Sequence, residues 1–281
     1  MSYGPSMDAF VLGGGGQLGA SEVGMLRALI ERGVLPDLVV GTSVGAINGA
    51  AVASDPTVEM VQRLADTWAD IERSDVFAGS ILGRLATLAR TRTHLHGNDA
   101  LRATLTEALP IALIEDLPVR FECVAASIEG ASEHWFSSGA LVDAVLASAA
   151  VPGILPPVEV GGQHFMDGGI VNSIPVDRAV QLGATRIFVM HVGRLDRPLE
   201  PPRWPWEVGL VAFEIARRHR FLGDLASLPE SVEIHVLPTG QPEAPKYNDL
   251  SALRYRVTEG VGESIERAHA ASLAYLGEHG L

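Results

Sequence analysis

The chain is expected to fold as an α/β protein, a three-layer α/β/α sandwich around a mostly parallel central sheet with a helical layer over one end. Three observations predict it. Short apolar runs of strand length alternate with segments of helical periodicity along almost all of the 281 residues. The first two runs each enter a glycine-marked turn that opens directly into a helix, the pattern of a parallel βαβ unit. An apolar content of 47% supplies a core of the size such a sandwich needs. No internal repeat interrupts the alternation, and residues 5–281 read as a single domain.

The elements follow in order. A strand over Ala9 to Leu12 enters Gly13-Gly14-Gly15-Gly16-Gln17-Leu18-Gly19. Val23, Leu26, Leu29 and Ile30 then fall at helical spacing, so Leu18 to Arg32 reads as an amphipathic helix ended near Gly33. A second strand, Leu38 to Val40, enters Gly41-Thr42-Ser43-Val44-Gly45, followed by an Ala- and Gly-rich helix over Val44 to Ala53 suited to close packing. From Thr57 to Leu109 the periodicity is helical throughout: Thr57 to Ile71, Ile81 to Ala89, and a start at Asn98 or Asp99 leading to Leu109. These segments form the expected helical layer. Strands resume at Val119 to Ser127 and His134 to Ser137, and a helix from Leu141 to Ala149 stops before Pro152. A short strand His164 to Met166, a helix Val176 to Leu182, a strand Ile187 to His191, a helix about Trp206 to Leu225, a strand Val232 to Leu237 and a closing helix Leu250 to Leu276 complete the chain. Arg194 to Pro205 carries four prolines and reads as a surface loop.

Composition excludes several classes. The net charge is −13, with twenty arginines and one lysine, Lys246, which argues against nucleic acid or a strongly anionic bilayer as a general partner. The clusters Arg84, Arg90, Arg92, His94, His96 and Arg217, Arg218, His219, Arg220 read as solvated helix faces. The single cysteine, Cys123, lies in an apolar run and reads as a small buried hydrophobe. No Cys/His cluster has zinc spacing and no Asp-rich loop suggests calcium, so neither metal nor cofactor is expected. Met1 to Asp8 lacks the basic residue and apolar stretch of a signal peptide, and no run of 18 apolar residues occurs. A cytoplasmic location is the expectation, with peripheral contact at a lipid interface. Ordinary packing within a Pro-rich loop is the expected role of Leu199, Trp204 and Trp206, with contact at that interface as the alternative.

The glycine loops carry the chemistry. Gly14-x-Gly16-x-x-Gly19 after a strand also fits a dinucleotide turn, but that reading wants an acidic residue at the end of the second strand, where this chain has Gly41-Thr42-Ser43. Ser43 alone fits a helix N-cap. Set between glycines and between an apolar strand and a helix, it fits better the strained elbow that exposes a nucleophilic hydroxyl. Such a hydroxyl needs a base. None of the nine histidines lies in a glycine-marked turn of the usual catalytic kind, and most read as surface or satisfied core residues; Asp167-Gly168-Gly169 follows a short strand and would set a carboxylate at its end.

Four segments, read together, resemble the patatin-like phospholipases. They are Gly14 to Gly19, Gly41 to Gly45, Ala147-Ser148-Ala149-Ala150-Val151-Pro152-Gly153 with Pro156-Pro157 following, and Phe165-Met166-Asp167-Gly168-Gly169 with Asn172 and Pro175. The motif-bearing core covers 9–192. The resemblance implies a lipid acyl hydrolase working through a Ser–Asp dyad without histidine. Ser43 would be the nucleophile and Asp167 the general base. The N–H groups of Gly14, Gly15 and Gly16 would form the oxyanion hole, with Gly19, Gly41, Gly45, Gly168 and Gly169 supporting the motifs. The substrate would be a lipid or other acyl ester. An ordinary carboxylate, near pKa 3.9, is a poor base for a hydroxyl, so Asp167 is expected to be desolvated. The family often has Arg or Lys just before the last glycine of the oxyanion loop, where this chain has Leu18, a departure that bears on phospholipid preference. Alternatives are an acyltransferase using the same acyl-enzyme, a Ser–His–Asp hydrolase, and a non-catalytic acyl-binding module.

Overall fold

A computed structural model describes residues 6–73, 94, 96–191, 198–241 and 260–281. It contains an eight-stranded sheet. The strands are β1 (Asp8–Leu12), β2 (Leu38–Thr42), β3 (Arg120–Ser127), β4 (Ser132–Phe136), β5 (Val158–Val160), β6 (Gln163–Asp167), β7 (Arg186–Met190) and β8 (Glu233–Leu237). The helices are α1 (Ala20–Glu31), α2 (Val44–Ser54), α3 (Val58–Arg73), α4 (Asp99–Ala108), α5 (Leu141–Ser148), α6 (Val176–Gln181), α7 (Pro205–Ala226) and α8 (Val261–Glu278). Every strand and helix expected within the described residues is present, most within two residues of its expected ends. The expected helix Ile81 to Ala89 and the expected start of the closing helix at Leu250 lie outside them.

The order across the sheet is β5-β6-β3-β2-β1-β7-β8, with β4 also on β3. β3, β2, β1, β7 and β8 are mutually parallel, whereas β4 and β6 pair antiparallel with β3, and β5 pairs antiparallel with β6. Strand β5 is an addition to the sequence expectation. It pairs with β6 through Gly161 and Gly162, both at positive φ (59° and 79°), the backbone a tight two-residue hairpin requires.

Alternation along β1 and β2 assigns the two faces. Phe10, Leu12 and Val39 join a core with α1, α2, α3, α5 and α8, while Ala9, Val11, Leu38 and Val40 pack with Ile187, Val189, Val176, Ala179 and Phe221 from the α6 and α7 side. The result is the three-layer arrangement expected. α8 lies against α1 so closely that a Cβ on Gly24 would stand 2.1 Å from Ile265 O. Helices α3 and α4 cover the carboxyl end of β2, as the helical layer was expected to do.

Candidate active site

Pairing on β3 brings the two candidate residues together. β4 pairs along Cys123 to Ser127, β2 along Arg120 to Val124 and β6 along Ala125 to Ser127. A strand has two edges and β4 overlaps both other partners, so β2 and β6 share the opposite edge in succession. They run toward each other: Thr42, at the end of β2, faces Val124, and Asp167, at the end of β6, faces Ala125. Ser43 Oγ donates to Asp167 Oδ2 at 2.5 Å. Among the described residues no histidine bonds to either side chain. Gly168 continues past β3 at a separation only glycine permits, because a Cβ there would stand 2.1 Å from Val124 O.

The elbow is a real backbone feature. Ser43 has φ 56° and ψ −123°, a conformation costly for a residue with a Cβ. The flanking glycines allow the sharp turn to pack: a Cβ on Gly41 would meet Gly45 O at 2.5 Å, and one on Gly45 would meet Leu12 O at 2.3 Å. The last residue of α5 and the segment after it tie both candidate residues down. Ser148 Oγ accepts from Ser43 N–H at 2.9 Å, and Ala150 O accepts from Asp167 N–H at 2.9 Å.

Both side chains are buried. Burial raises the Asp167 carboxyl to about 6, against the hydrogen bonds from Ser43 Oγ and from Gly169 N–H (2.7 Å to Oδ1), which pull it down. The desolvation expected of this carboxylate is therefore present.

The glycine loop lies against the elbow, with a Cβ on Gly14 placed 3.4 Å from Ser43 Cβ. One part of its expected role needs correction. Gly14 N–H donates to Ser173 O at 2.9 Å and Gly13 N–H to Met190 O at 2.9 Å, so both amides anchor the loop to its neighbours. The described hydrogen bonds leave the N–H groups of Gly15 and Gly16 for a ligand, and Gly16 lines the same cavity as Ser43. Behind the loop, Asn48 Nδ2 donates to Gly19 O (3.0 Å) and to Glu22 Oε2 (2.8 Å), while Trp68 Nε1 donates to Asn48 Oδ1 (3.0 Å). Burial holds the Glu22 carboxyl well above its usual range, opposed by the bond from Asn48. Ser148, Asn48 and Trp68 escaped the sequence reading. Ser148 alone carried a signal, through its place in the third motif segment.

Ser43 opens into a cavity of ≈ 80 Å³ walled by apolar side chains, among them Ile47, Leu64, Trp68, Leu101, Leu105 and Leu155. Leu64, Thr67, Ile71, Thr104 and Ala108 also border a wider groove of ≈ 870 Å³ between α3 and α4.

Other expectations fared variously. Cys123 is buried and its thiol is pushed up, first by burial and then by Glu122. Arg217 and Arg218 are not on a solvated face: their side chains are 9% and 15% exposed and both pair with Glu214, at 2.7 and 2.8 Å. Arg84, Arg90 and Arg92 lie outside the described residues. His164, His235 and His269 pair with Glu129, Glu233 and Glu31. His191 departs from the satisfied-core expectation, since it is buried with both ring nitrogens unpartnered. Burial, and then Arg217 and Arg218, hold it well below the usual histidine range. Among the described residues no helix is long and apolar enough to cross a membrane.

With this geometry established, comparison with known proteins is informative. A profile of the patatin-like phospholipase family matches residues 10–180. Over 190 residues the chain is 31% identical to rat patatin-like phospholipase domain-containing protein 7, covering 67% of this chain and 14% of that protein. It is 33% identical to human patatin-like phospholipase domain-containing protein 6, covering 67% and 13%, and to a lysophospholipase of Aspergillus terreus, covering 66% and 12%. The chain thus spans about one seventh of the length of the curated relatives it matches. The crystal structure of human GIVD cytosolic phospholipase A2 with methyl gamma-linolenyl fluorophosphonate superposes with a TM-score of 0.52 at 14% identity, covering 98% of this chain and 58% of that one. That likeness speaks to the fold. Matched over more than half its length, with the motif glycines, elbow and Asp-Gly-Gly turn inside the matched span, the chain belongs to the patatin-like phospholipase family.

Proposed function

We propose that the protein is a serine-dependent lipid acyl hydrolase, cleaving carboxylic esters of the phospholipase A, lysophospholipase or lipase type, and that residues 5–281 act as one domain. The observation that carries this reading is the 2.5 Å bond from Ser43 Oγ to a buried carboxylate poised at about 6. A base with that pKa is ionised at neutral pH and still holds a proton far better than an exposed aspartate. Ser43 Oγ attacks the acyl carbonyl and its proton passes to Asp167. The N–H groups of Gly15 and Gly16 receive the oxyanion. Asp167 returns the proton to the departing alkoxide as the ester C–O bond breaks, leaving the acyl group on Ser43. Water, deprotonated by the same carboxylate, then attacks the acyl-enzyme and frees the acid and the serine. The apolar cavity beside Ser43 suits the acyl chain, and the family relationship supports a lipid ester as substrate. Leu18 supplies no cation at the loop, so headgroup phosphate has no fixed partner there.

A fluorophosphonate probe tests the reading. The wild type should be labelled, and Ser43→Ala should be neither labelled nor active. Asp167→Asn should lose about 10³-fold or more in kcat/KM on a chromogenic ester while keeping its circular dichroism spectrum. Wild-type turnover in either variant would remove the dyad. Product analysis with an added alcohol separates hydrolysis from acyl transfer.

A further inference from the structure

Helix α7 is turned inside out with respect to ordinary amphipathicity. Two of its three acids and two of its three arginines point inward: Glu207 and Glu214 are buried, and Arg217 and Arg218 close on Glu214. Glu207 there accepts from the Arg203 and Trp204 N–H groups and holds the helix start. Its outward side is apolar. At 100° per residue, Trp204, Val208, Ile215 and Leu222 fall within about 40° of one another, and they are 57%, 54%, 54% and 53% exposed. Gly209, Ala212, Ala216, His219 and Gly223 fill the remaining outward surface, all exposed. The far flank is Phe213, whose Cζ lies 3.4 Å from where a Cβ on Gly169 would be, two residues from Asp167. At its edge the charged pair Arg220 and Asp224 bond each other at 3.2 Å, and Arg220 is also held by Val171 O and Asp177. An uncharged helix face of this kind, in a chain of net charge −13, needs an apolar counterpart.

We propose that the outward face of α7 is a docking surface for an uncharged lipid–water interface, with Phe213 seating the edge of the Ser43–Asp167 site against it. Three arguments select a lipid surface over a second copy of the chain. The 22 residues of α7 span about 33 Å, so a stripe one helix wide offers only a few hundred Å². That is well short of the roughly 800 Å² per partner of a stable protein interface. The exposed stripe bears no acid although the chain is strongly acidic, and Asp224 at its edge is neutralised by Arg220, as contact with a lipid boundary demands and contact with a basic protein partner does not. A tryptophan at the helix start and a continuous apolar surface reaching the dyad suit a boundary between water and acyl chains. The charge balance makes zwitterionic rather than anionic lipid the counterpart.

The proposal rests on the lipid hydrolase reading, and its test separates the two. The full chain and a Val208→Gln/Ile215→Gln/Leu222→Gln variant are compared on phosphatidylcholine vesicles and on a short-chain ester kept below its aggregation limit. The expected result is equal fluorophosphonate labelling and equal turnover of the soluble ester. Co-sedimentation with the vesicles should be lost in the variant, and hydrolysis of vesicle lipid should fall at least about tenfold. Co-sedimentation equal to wild type in the variant, a wild type that ignores vesicles, or binding that requires anionic lipid would each overturn the docking surface. So would a wild-type dimer that the variant converts to monomer, since the face would then join two copies. A wild type that binds vesicles but cleaves no ester would sink the hydrolase reading and leave the surface standing.

Discussion

At the residue scale, Asp167 joins function to folding. Its carboxyl is raised from an ordinary 3.8 to about 6 by burial, so it binds its proton more tightly folded than unfolded. Two outcomes follow. As the proposed base it must be ionised, so kcat/KM should rise with pH as a single-proton curve centred near 6 and level off above 7; a flat profile from pH 5 to 8 would contradict the assignment. In the stability balance the sign is opposite. A group with a raised folded pKa contributes stability below its unfolded value and loses it as pH climbs through the folded one, here between about 3.8 and 6. The loss on ionisation is on the order of 3 kcal/mol. Asp167→Asn, which cannot ionise, should therefore melt higher than wild type at pH 8 and near it at pH 4, while being inactive at both. Thermal melts at the two pH values check this.

Strand β6 explains at the element scale why Ser43 and Asp167 meet at all. Only an antiparallel β6, ending where β2 ends, brings an Asp from residue 167 to a Ser at 43. The end of α5 pins one by Ser148 Oγ, and the segment after it pins the other by Ala150 O. Ser148→Ala removes the acceptor of the buried Ser43 N–H and should cost about 1–3 kcal/mol. It should also lower kcat more than it raises KM, because the elbow loses its support; unchanged steady-state kinetics would deny Ser148 that role. Gly168→Ala inserts a methyl against Val124 O and should destabilise by about 1–3 kcal/mol while shifting Asp167 away from Ser43. Much of the site was legible in residues: Ser43 in its glycine-flanked turn announced an elbow, and the glycine loop announced amide donors. Asp167 was legible by resemblance, since periodicity said only that a strand ended there. Gly14 was misassigned because its neighbour in space, Ser173, lies 159 residues on, where no local pattern points to it. The Gly161-Gly162 pair did mark the β5–β6 hairpin and could have been read.

The whole molecule is closed by the layer in which α8 meets α1. Gly24 makes that contact possible, and around it Arg27 bonds Glu266 through both guanidinium nitrogens at 2.7 Å and His269 bonds Glu31 at 2.6 Å. Gly24→Ala would drive a methyl into Ile265 O and the His269 N–H, so α8 must move off. The expected penalty of about 1–3 kcal/mol corresponds to a Tm lower by roughly 2–10 °C for a chain of this size. Turnover per labelled serine at 25 °C should stay near wild type, because the dyad lies on other elements. An unchanged Tm would show that the two helices do not meet so closely.

Local order alone therefore determined the order and type of most elements, the α/β class, the candidate nucleophile and the glycine loop. Each depends on spacing within a few residues, and short-range sterics and hydrophobic periodicity write that spacing directly into the chain. Only the tertiary structure decided how the strands pair, and with it the head-to-head meeting of β2 and β6, the burial that raises Asp167 and the commitment of the Gly14 amide. It also decided which way α7 faces. A helix with charges on one side and apolar residues on the other reads from sequence as charge outward. Glu214 reverses it by neutralising Arg217 and Arg218 beneath the helix, a pairing whose burial depends on neighbours far along the chain.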